Sequence, residues 1–270
     1  MPRKSYRVRF PGGSGDELAG IVDLPESLDG FPVAVFSHCF TCNKDLKAIV
    51  RVSRGLADAG IAVLRYDMTG LGGSDGDFSR TSFTTNVADL RMAVRFAEQE
   101  LGPVDTLIGH SFGGAASLFA AGDSPSQSIQ SVVALAAPSD TQHLAELLSR
   151  MNPKIESEGE GTVSIGGREW LIRQEMLDDF RSHDLPSQIV RSQTPTLLLH
   201  SPSDRTVLFD HALRIMGLIQ NSPLATPVSL VSLAGADHLL SSSEADREFV
   251  IATVSAFVHR FRSPTAHQDE

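Results

Sequence analysis

Short apolar runs rich in β-branched residues alternate with longer stretches of helical periodicity over most of the chain. From the third run onward the segments, such as VAVF and TLLL, are almost continuously apolar, which is typical of strands buried on both faces of a parallel sheet, whereas the first two alternate as edge strands do. The pattern predicts a doubly wound α/β sheet flanked by helices. Eight strands are predicted, at 6–10, 18–24, 33–37, 62–66, 106–109, 132–136, 196–200 and 228–233. Five helices are predicted, at 45–59, 84–100, 112–121, 211–220 and 245–261.

One connection is too long for this alternation, because residues 139–193 separate the sixth predicted strand from the seventh. Usual connections in α/β units have about 2 to 6 residues, so this segment must carry its own structure. TVSI and REWLI flank Gly166-Gly167 and predict a β-hairpin with a two-residue turn, followed by a short helix. We therefore expect a small cap at 139–193, inserted after strand 6 of an eight-stranded, mostly parallel sheet, and a core at 1–138 and 194–270.

The charge balance disfavours two classes of partner. Lys plus Arg total 23 against 33 Asp plus Glu, which gives a formal net charge of −10. This sign is wrong for nucleic acid and for anionic membrane surfaces, so neither partner is expected. No apolar run approaches the roughly 18 residues of a membrane span, and no apolar region follows the basic N-terminus as in a signal peptide. Two cysteines suit a reducing compartment, so the sequence predicts a cytoplasmic protein.

Two segments match GxSxG, the pattern of a strand–turn–helix that exposes a nucleophilic serine. Ser111, in GHSFGG, follows the predicted strand TLIG and precedes a helix opened by small residues. The amides at the start of such a helix face a developing oxyanion, and flanking glycines suit a crowded turn. Ser74, in GGSDG, lies in a polar loop with no helix start after it, so its match is interpreted as turn chemistry. Ser111 is therefore the predicted nucleophile.

A serine hydroxyl needs an imidazole to remove its proton and a carboxylate to hold that imidazole in the right tautomer. His238, in GADHLL, lies in the loop after the last predicted strand and is the predicted general base. Asp204, in SPSDRTV, follows the seventh predicted strand and is the predicted acid. Asp210 is interpreted as the N-cap of the next helix, and Asp237 is too near His238 in sequence to reach its Nδ1.

The motifs GHSFGG, SPSDRTV and GADHLL occur in this order at predicted strand ends, and on them the chain resembles the α/β-hydrolase superfamily over nearly its whole length. SHCFTCNKDLKA, RYDMTGLGGSDGDF and IGGREWLIRQ are similar to a bacterial subgroup whose hydrolase domain is sometimes fused to an OsmC-like module. The resemblance implies an oxyanion hole made by two backbone N–H groups, those of Phe40 and Phe112. His38-Cys39 stands where many members have His-Gly, so Cys39 is the alternative donor of the backbone N–H in this loop. Family position favours Phe40.

CFTC, at 39–42, forms a CxxC after a predicted strand and before a helix, which superficially fits a thiol-redox motif. A redox role leaves the predicted triad without an explanation and is kept as an alternative. Metal binding with His38 is disfavoured, because no second Cys or His pair with zinc spacing follows. No cofactor and no metal are expected. The candidate substrate-pocket residues are His38, Cys39, His110 and Trp170.

The sequence therefore predicts a serine hydrolase that cleaves carboxylic esters through an acyl-enzyme. Apolar residues of the cap, such as Leu171, Met176 and Phe180, favour a small-molecule ester with a small to medium acyl chain. Acyl thioesters and peptides are alternative substrates, because fold and triad do not determine the leaving group. A non-hydrolytic thiol-redox protein that uses Cys39 and Cys42 is the alternative from another class. The oligomeric state stays open, with a homo-oligomer among the options.

Overall fold

A computed structural model describes residues 4–27, 30–123 and 129–262, and an eight-stranded sheet forms its centre. The expected core segments extend beyond the described residues at both ends of the chain. The strands are β1 (Lys4–Pro11), β2 (Glu17–Leu24), β3 (Val33–Ser37), β4 (Ala62–Tyr66), β5 (Val104–His110), β6 (Ser131–Leu135), β7 (Glu160–Ile165), β8 (Arg168–Arg173), β9 (Thr196–His200) and β10 (Val228–Ser232). The order in the sheet is β1-β2-β4-β3-β5-β6-β9-β10, while β7 and β8 pair separately.

The helices occupy the connections between the strands. They are α1 (Lys47–Asp58), α2 (Phe83–Glu100), α3 (Phe112–Asp123), α4 (Gln142–Met151), α5 (Lys154–Ser157), α6 (Gln174–Ser182), α7 (Leu185–Arg191), α8 (Phe209–Gln220) and α9 (Glu244–Phe261), with a short 3₁₀ helix at Phe78–Arg80. The expectation that Asp210 caps α8 is wrong. Leu208 takes the cap position, and Asp210 lies in the first turn, where a negative charge is favoured by the helix dipole. Among the described residues, no helix is both long and apolar enough to cross a membrane.

The pairing of the strands confirms the predicted α/β-hydrolase fold with its mostly parallel sheet. In the eight-stranded sheet, β1 pairs with β2, and β2 with β4, in antiparallel register, and the remaining pairs of that sheet are parallel. The expectation that β2 is an edge strand is wrong, since it lies between β1 and β4. Its residues alternate between buried and half-buried or exposed up to Ile21, and its buried Asp23 accepts a hydrogen bond at Oδ2 from Nε of Arg65 on β4, at 3.0 Å.

Helices cover both faces of the sheet and bury two apolar layers. On one face, α1 and α9 pack together and bury residues such as Leu56, Val250 and Val254. On the other face, α2 and α3 bury residues such as Phe83 and Leu118. Because both faces are covered, every residue of β3, β4 and β9 is buried, which explains why these strands are mostly apolar.

The connection between β6 and β9 has structure of its own, as its length predicts. β7 and β8 form an antiparallel hairpin whose turn contains Gly166 and Gly167, both with positive φ, as expected for a two-residue turn. Four helices, α4 to α7, complete this connection. The helix after the hairpin, α6, buries the three apolar residues of its inner side, Met176, Leu177 and Phe180.

The connection is anchored to the core at the N-terminus of α2. Oδ1 of Asp179, on α6, accepts a hydrogen bond from Phe83 N at 2.7 Å, and Oδ2 accepts one from Thr84 Oγ1 at 2.6 Å. Burial acts to raise the pKa of Asp179, but hydrogen bonds from His183 and Thr84 outweigh it and lower that pKa. A carboxylate in this place satisfies N–H groups that have no partner within the helix and is favoured by the helix dipole.

Candidate active site

The predicted nucleophile lies at a sharp turn between a strand and a helix. β5 ends at His110 and α3 begins at Phe112, so Ser111 alone joins them. Ser111 has φ +53°, in the left-handed region, where a residue with a Cβ costs about 1–2 kcal/mol. The surrounding sheet holds this conformation, because Ser111 N donates a hydrogen bond to Leu135 O on β6 at 2.7 Å.

The glycines around Ser111 are required by the closeness of neighbouring backbone. A Cβ on Gly109 would lie 2.2 Å from Gly113 O, and a Cβ on Gly113 would lie 2.4 Å from Ser37 O. Such distances are far below van der Waals contact, so a side chain at Gly109 would push away the first turn of α3, and one at Gly113 would push α3 away from β3. The GxSxG spacing around Ser111 therefore has a direct steric cause.

The second GxSxG segment forms a structural turn, in agreement with its interpretation from sequence. Ser74 Oγ donates a hydrogen bond to Asp67 O at 2.7 Å and accepts one from Ala19 N at 2.9 Å. Gly72 has φ +58°, and a Cβ there would lie 2.2 Å from Asp67 Oδ2. The Ser74 hydroxyl is thus occupied in tying the loop after β4 to β2.

His238 and Asp204 come together at the same edge of the sheet. His238 Nδ1 donates a hydrogen bond to Asp204 Oδ2 at 2.7 Å. Oδ1 of the buried Asp204 accepts hydrogen bonds from Thr206 N at 2.8 Å and Val207 N at 3.0 Å. Burial acts to raise the pKa of Asp204, but His238 and these N–H donors outweigh it and lower that pKa. Asp204 is therefore held as a carboxylate against the imidazole.

Asp237, the sequence neighbour of His238, faces another way. Its carboxylate accepts hydrogen bonds from Ser241 N at 3.0 Å and Ser242 N at 2.8 Å, together with their hydroxyls. Burial acts to raise the pKa of Asp237, but these donors outweigh it and lower that pKa. The carboxylate thus closes the turn before α9 and is fully engaged there.

Ser111 and His238 meet in the wall of one cavity of about 770 Å³. Among the described residues, no hydrogen bond joins Ser111 Oγ to His238, a contact that is often long before substrate binds. The cavity lies between the sheet edge, the loop after β3, helix α4 and the β7–β8 hairpin. Its apolar lining is formed mainly by Phe40, Phe112, Leu144, Leu147, Leu148, Met151, Ile165, Trp170, Val207 and Leu239.

Two of the candidate pocket residues line this cavity and two do not. Cys39 and Trp170 are in its wall, whereas the structure does not bring His38 or His110 to it. Both histidine side chains are buried, and their ring nitrogens form hydrogen bonds with backbone groups of the loops around the site instead of lining the cavity. No signal in the sequence distinguishes an inward from an outward histidine at these strand ends.

His110 holds the loop that carries His238. Its Nε2 donates a hydrogen bond to His238 O at 2.7 Å, and the two rings lie 5.1 Å apart. Burial, helped by the nearby His238, lowers the pKa of His110 to about 3. His110 therefore stays neutral and does not compete with His238 for a positive charge.

His38 performs a similar task for the loop after β3. Its Nδ1 donates a hydrogen bond to Cys39 O at 2.8 Å, and its Nε2 accepts one from Met68 N at 3.1 Å. Burial lowers the pKa of His38, so the ring stays neutral and keeps this tautomer. The loop is thereby fixed to the end of β4.

The loop after β3 contains Phe40 and Cys39, the implied oxyanion donor and its alternative. Phe40 packs its ring against Phe78 and Phe112, with centroids 5.4 and 5.5 Å away. Phe112 is the first residue of α3, where a backbone N–H has no partner within the helix. Thr41, next to Phe40, has φ +59°, an unusual value for a β-branched residue.

Cys39 and Cys42 form a disulfide, which corrects the expectation of reduced cysteines. Their Cα atoms lie 5.4 Å apart, within the range that a disulfide can span. The turn at residues 39–42 brings them together, since Cys42 N donates a hydrogen bond to Cys39 O at 3.2 Å. The disulfide removes one argument for a cytoplasmic location, which stays a prediction.

A buried ion pair supports the far end of the same loop. Lys44 N donates to Asp67 Oδ1 at 2.6 Å, and Lys44 Nζ contacts Asp67 Oδ2 at 2.7 Å. Asp67 Oδ2 also accepts a hydrogen bond from Gly73 N at 2.7 Å. Asp67 therefore fastens the loop after β3 to the loop after β4, and the pattern RYDMTGLGG gives no direct sign of this role.

Comparisons with known proteins agree with the fold. The esterase domain of a Rhodothermus marinus protein is 37% identical, with a TM-score of 0.74, over 96% of this chain and 99% of that chain. Est1E from Butyrivibrio proteoclasticus, solved with ferulic acid, is 21% identical, with a TM-score of 0.80, over 94% of this chain and 99% of that chain. Alpha/beta hydrolase domain-containing protein 10 from mouse is also 21% identical, with a TM-score of 0.74, over 95% of this chain and 100% of that chain.

At 21% identity, the last two likenesses show the fold alone. No curated protein matches the chain. The sequence profile of the Alpha/beta hydrolase family matches residues 30–253, which is most of the chain. This chain therefore belongs to the Alpha/beta hydrolase family.

Proposed function

We propose that this α/β hydrolase cleaves carboxylic esters of small molecules, with Ser111 as nucleophile, His238 as general base and Asp204 as the acid that orients the base. The observation that carries the proposal is the 2.7 Å hydrogen bond between His238 Nδ1 and Asp204 Oδ2, beside a serine held at a strand–helix turn. His238 and Ser111 share one cavity wall, and the esterase domain that is 37% identical supports the ester as substrate.

In the acylation step, Ser111 Oγ attacks the ester carbonyl carbon while His238 Nε2 takes the serine proton. Asp204 accepts the Nδ1–H, so the other nitrogen is left unprotonated and available as a base. The lowered pKa of Asp204 keeps a negative charge beside the imidazolium as it forms. The imidazolium then protonates the leaving alcohol, and the acyl group stays on Ser111.

The developing oxyanion is held by the backbone N–H groups of Phe40 and Phe112. Phe112 N–H stands at the start of α3, where the helix dipole also favours negative charge. Each such donor is typically worth about 10²- to 10³-fold in kcat, because it is aimed at a charge that exists only in the transition state. The peptide of Phe40 is fixed by the contacts of His38 and by the packing of the Phe40 ring.

The deacylation step repeats the same chemistry with water. His238 takes a proton from the water while the water oxygen attacks the acyl carbon. The same two N–H groups hold the oxyanion. The imidazolium then returns the proton to Ser111 Oγ, which leaves as the hydroxyl. A carboxylic acid is released, and the starting protonation states are restored.

The cavity favours a small to medium acyl chain. Its volume of about 770 Å³ is in the range of small-molecule sites, and its lining is mostly aromatic and aliphatic. Residues 139–193 act as the cap, because α4 and the β7–β8 hairpin supply the wall opposite the sheet edge. Thioesters and peptides are alternative substrates of the same site, and the experiment below separates them.

The experiment is a comparison of the wild type with Ser111→Ala on p-nitrophenyl esters from acetate to long acyl chains, on the matching acyl thioesters and on a short peptide. Turnover of the esters should fall by at least about 10⁴-fold in Ser111→Ala. Ser74→Ala is the matched control, since it removes the other GxSxG serine, and it should keep activity within about tenfold of the wild type. Equal losses in both variants, or turnover that survives Ser111→Ala, would refute the assignment.

A further inference from the structure

The Cys39–Cys42 disulfide lies in the wall of the substrate cavity, in the loop that carries the proposed oxyanion donor. Cys39 is 4% exposed, whereas Cys42 is half-buried. The hydrolytic mechanism needs neither sulfur atom. A disulfide that faces the site without taking part in its chemistry calls for a separate explanation.

The disulfide closes the turn that orients the peptide between Cys39 and Phe40. Cys39 O accepts hydrogen bonds from His38 Nδ1 at 2.8 Å and from Cys42 N at 3.2 Å. In a trans peptide the N–H points opposite to the C=O, so the contacts that hold Cys39 O also aim Phe40 N–H. The link between the two sulfur atoms holds the same two residues together covalently.

The turn needs such a link, because its third residue is in an unfavourable conformation. Thr41 has φ +59°, and left-handed backbone is rare for β-branched residues and disfavours them. Thr41 Oγ1 donates a hydrogen bond to Phe40 O at 2.7 Å, which gives local compensation. Without the disulfide, Thr41 lowers its energy by returning to negative φ. That rotation first turns the peptide between Phe40 and Thr41, and Phe40, no longer held from both sides, then lets the peptide that carries its own N–H turn as well.

We propose that Cys39–Cys42 is a thiol–disulfide exchange site through which a dithiol reductant controls hydrolysis, the oxidised form being the active one. This inference rests on the proposed function, because it acts through the oxyanion donor of that mechanism. The reactive partner is any small dithiol that enters the cavity from solvent.

The exchange is balanced in electrons and protons. One thiolate of the dithiol attacks Sγ of Cys42, the less buried of the two cysteines, and the S–S bond breaks to release Cys39 as a thiolate. The second thiolate of the reductant then attacks the reductant sulfur that is bonded to Cys42 in the mixed disulfide, and Cys42 is released as a thiolate. Two electrons pass to the protein, the reductant leaves as its cyclic disulfide, and its two protons end on Cys39 and Cys42.

The test is a titration of the wild type in buffers of defined ratio of oxidised to reduced dithiothreitol. Free thiols are counted by mass spectrometry after alkylation, and kcat and KM for p-nitrophenyl acetate are measured at each ratio. We expect two thiols to appear together and kcat to fall about tenfold or more, since a misaimed oxyanion donor loses part of its 10²- to 10³-fold effect. KM should change by less than about twofold, because the apolar wall of the cavity is retained.

Two variants separate this effect from a general effect of the reductant. The double variant Cys39→Ser with Cys42→Ser should have the low kcat at every ratio, with no response to the reductant. Thr41→Gly should lose a smaller factor of kcat on reduction than the wild type does, because glycine adopts positive φ freely. Circular dichroism of each form verifies that the chain stays folded.

Three results would overturn the proposal. These are an unchanged kcat when two thiols have formed, a fall of kcat on adding reductant that is as large in the double cysteine variant as in the wild type, and a protein whose two cysteines stay free in the most oxidising buffer. The failure of the proposed function has a different signature, the absence of any hydrolysis that depends on Ser111 in the oxidised protein. Hydrolysis that depends on Ser111 and is equal in both redox forms refutes the exchange site alone.

Discussion

The edge of the sheet and the insertion after β6 line the same cavity, but different forces hold them. At the sheet edge, Ser111 and Asp204 follow buried strands, and backbone hydrogen bonds determine their positions. In the insertion, α4 faces the cavity with apolar side chains, of which Leu147 is 37% exposed and Met151 44% exposed. The hairpin of the insertion forms a separate two-stranded sheet that does not join the central one.

This difference assigns the two regions different parts of the function. Groups that must move a proton or hold a charge need positions fixed to a fraction of an ångström, which strand ends supply. A wall that selects substrates by size needs only apolar surface of the right shape. We therefore expect substitutions at the sheet edge to lower kcat and substitutions in the exposed wall of the insertion to raise KM.

The largest effect is expected for Asp204→Asn, which should lower kcat by about 10⁴-fold, as removal of the charge does in other serine triads. The amide fails to stabilise the imidazolium, and it presents a donor where Nδ1–H needs an acceptor. Steady-state kinetics on p-nitrophenyl acetate measures the loss. Asp237→Asn is the control and should lose less than about tenfold, since the hydrogen bonds of its carboxylate go to backbone and hydroxyl groups of residues 239–242. Comparable losses in the two variants would remove Asp204 from the mechanism.

A stability effect is expected in the buried part of the insertion. Leu148 on α4 is fully buried, so Leu148→Ala should lower the free energy of unfolding by about 2–5 kcal/mol through lost contacts and a residual cavity. Urea denaturation followed by circular dichroism measures this change. Leu147→Ala, one residue away and partly exposed, should cost less than about 1 kcal/mol. Equal costs would show that the two faces of α4 are not distinct.

A smaller effect concerns the pH dependence of stability. The pKa of His110 is about 3 in the folded protein, against the usual histidine value of 6.5 in the unfolded chain. Between pH 3 and pH 6.5 the unfolded chain therefore binds a proton at His110 that the folded protein does not. Stability from this group is therefore complete above pH 6.5 and is lost as pH falls towards 3. Between pH 7 and pH 5 the loss should be about 2 kcal/mol.

His110→Gln tests this contribution, because glutamine keeps a donor for His238 O but does not titrate. The free energy of unfolding of the variant should fall less than that of the wild type between pH 7 and pH 5. Urea midpoints at the two pH values give the comparison. Equal pH slopes would mean that His110 is not held neutral by its burial.

The smallest effect is expected at the exposed wall of the insertion. Leu147→Ala should raise KM for the longest accepted acyl chain by about threefold to tenfold, the effect of a few lost methylene contacts, and leave acetate unchanged. Phe249→Ala is the matched control, because this side chain is also exposed but lies on α9, outside the cavity lining. A similar change for acetate and for long chains would contradict a size-selecting wall.

The fold could be predicted from sequence largely because its strands are buried on both faces. VAVF and TLLL stand out as apolar runs, and the structure has strands at Val33–Ser37 and Thr196–His200 in agreement. β2 departs from the rule for two reasons: one of its faces is only half-buried at Ala19 and Ile21, and its buried Asp23 pairs with Arg65. Both the cover over β2 and the position of Arg65 depend on the three-dimensional structure.

The candidate triad could be named from sequence because each member follows a strand, and parallel strands end at one edge of a sheet. The structure brings Asp204 and His238 into contact and places His238 with Ser111 in one cavity wall. The directions of His38 and His110 could not be predicted, since they depend on which loop offers a backbone group to each ring. The likeness to hydrolases fused to an OsmC-like module stays a prediction.

The cysteine pair was the least predictable part of the site. CxxC spacing is compatible with a disulfide, a metal ligand pair or two free thiols. The outcome depends on the turn at residues 39–42, and that turn contains Thr41 at a positive φ, which propensity disfavours. Local preference and tertiary context disagree at this point, which is common at functional sites.

Covalent trapping tests whether Ser111 is a nucleophile activated by His238 and Asp204. The protein is treated with an alkyl fluorophosphonate, which forms a stable adduct only with an activated nucleophile, and the modified residue is located by peptide mass spectrometry. We predict one adduct per chain, located on Ser111, and an adduct formation rate reduced by orders of magnitude in His238→Ala. An adduct on Ser74 or on another residue, or ester hydrolysis that continues without any adduct, would contradict the mechanism.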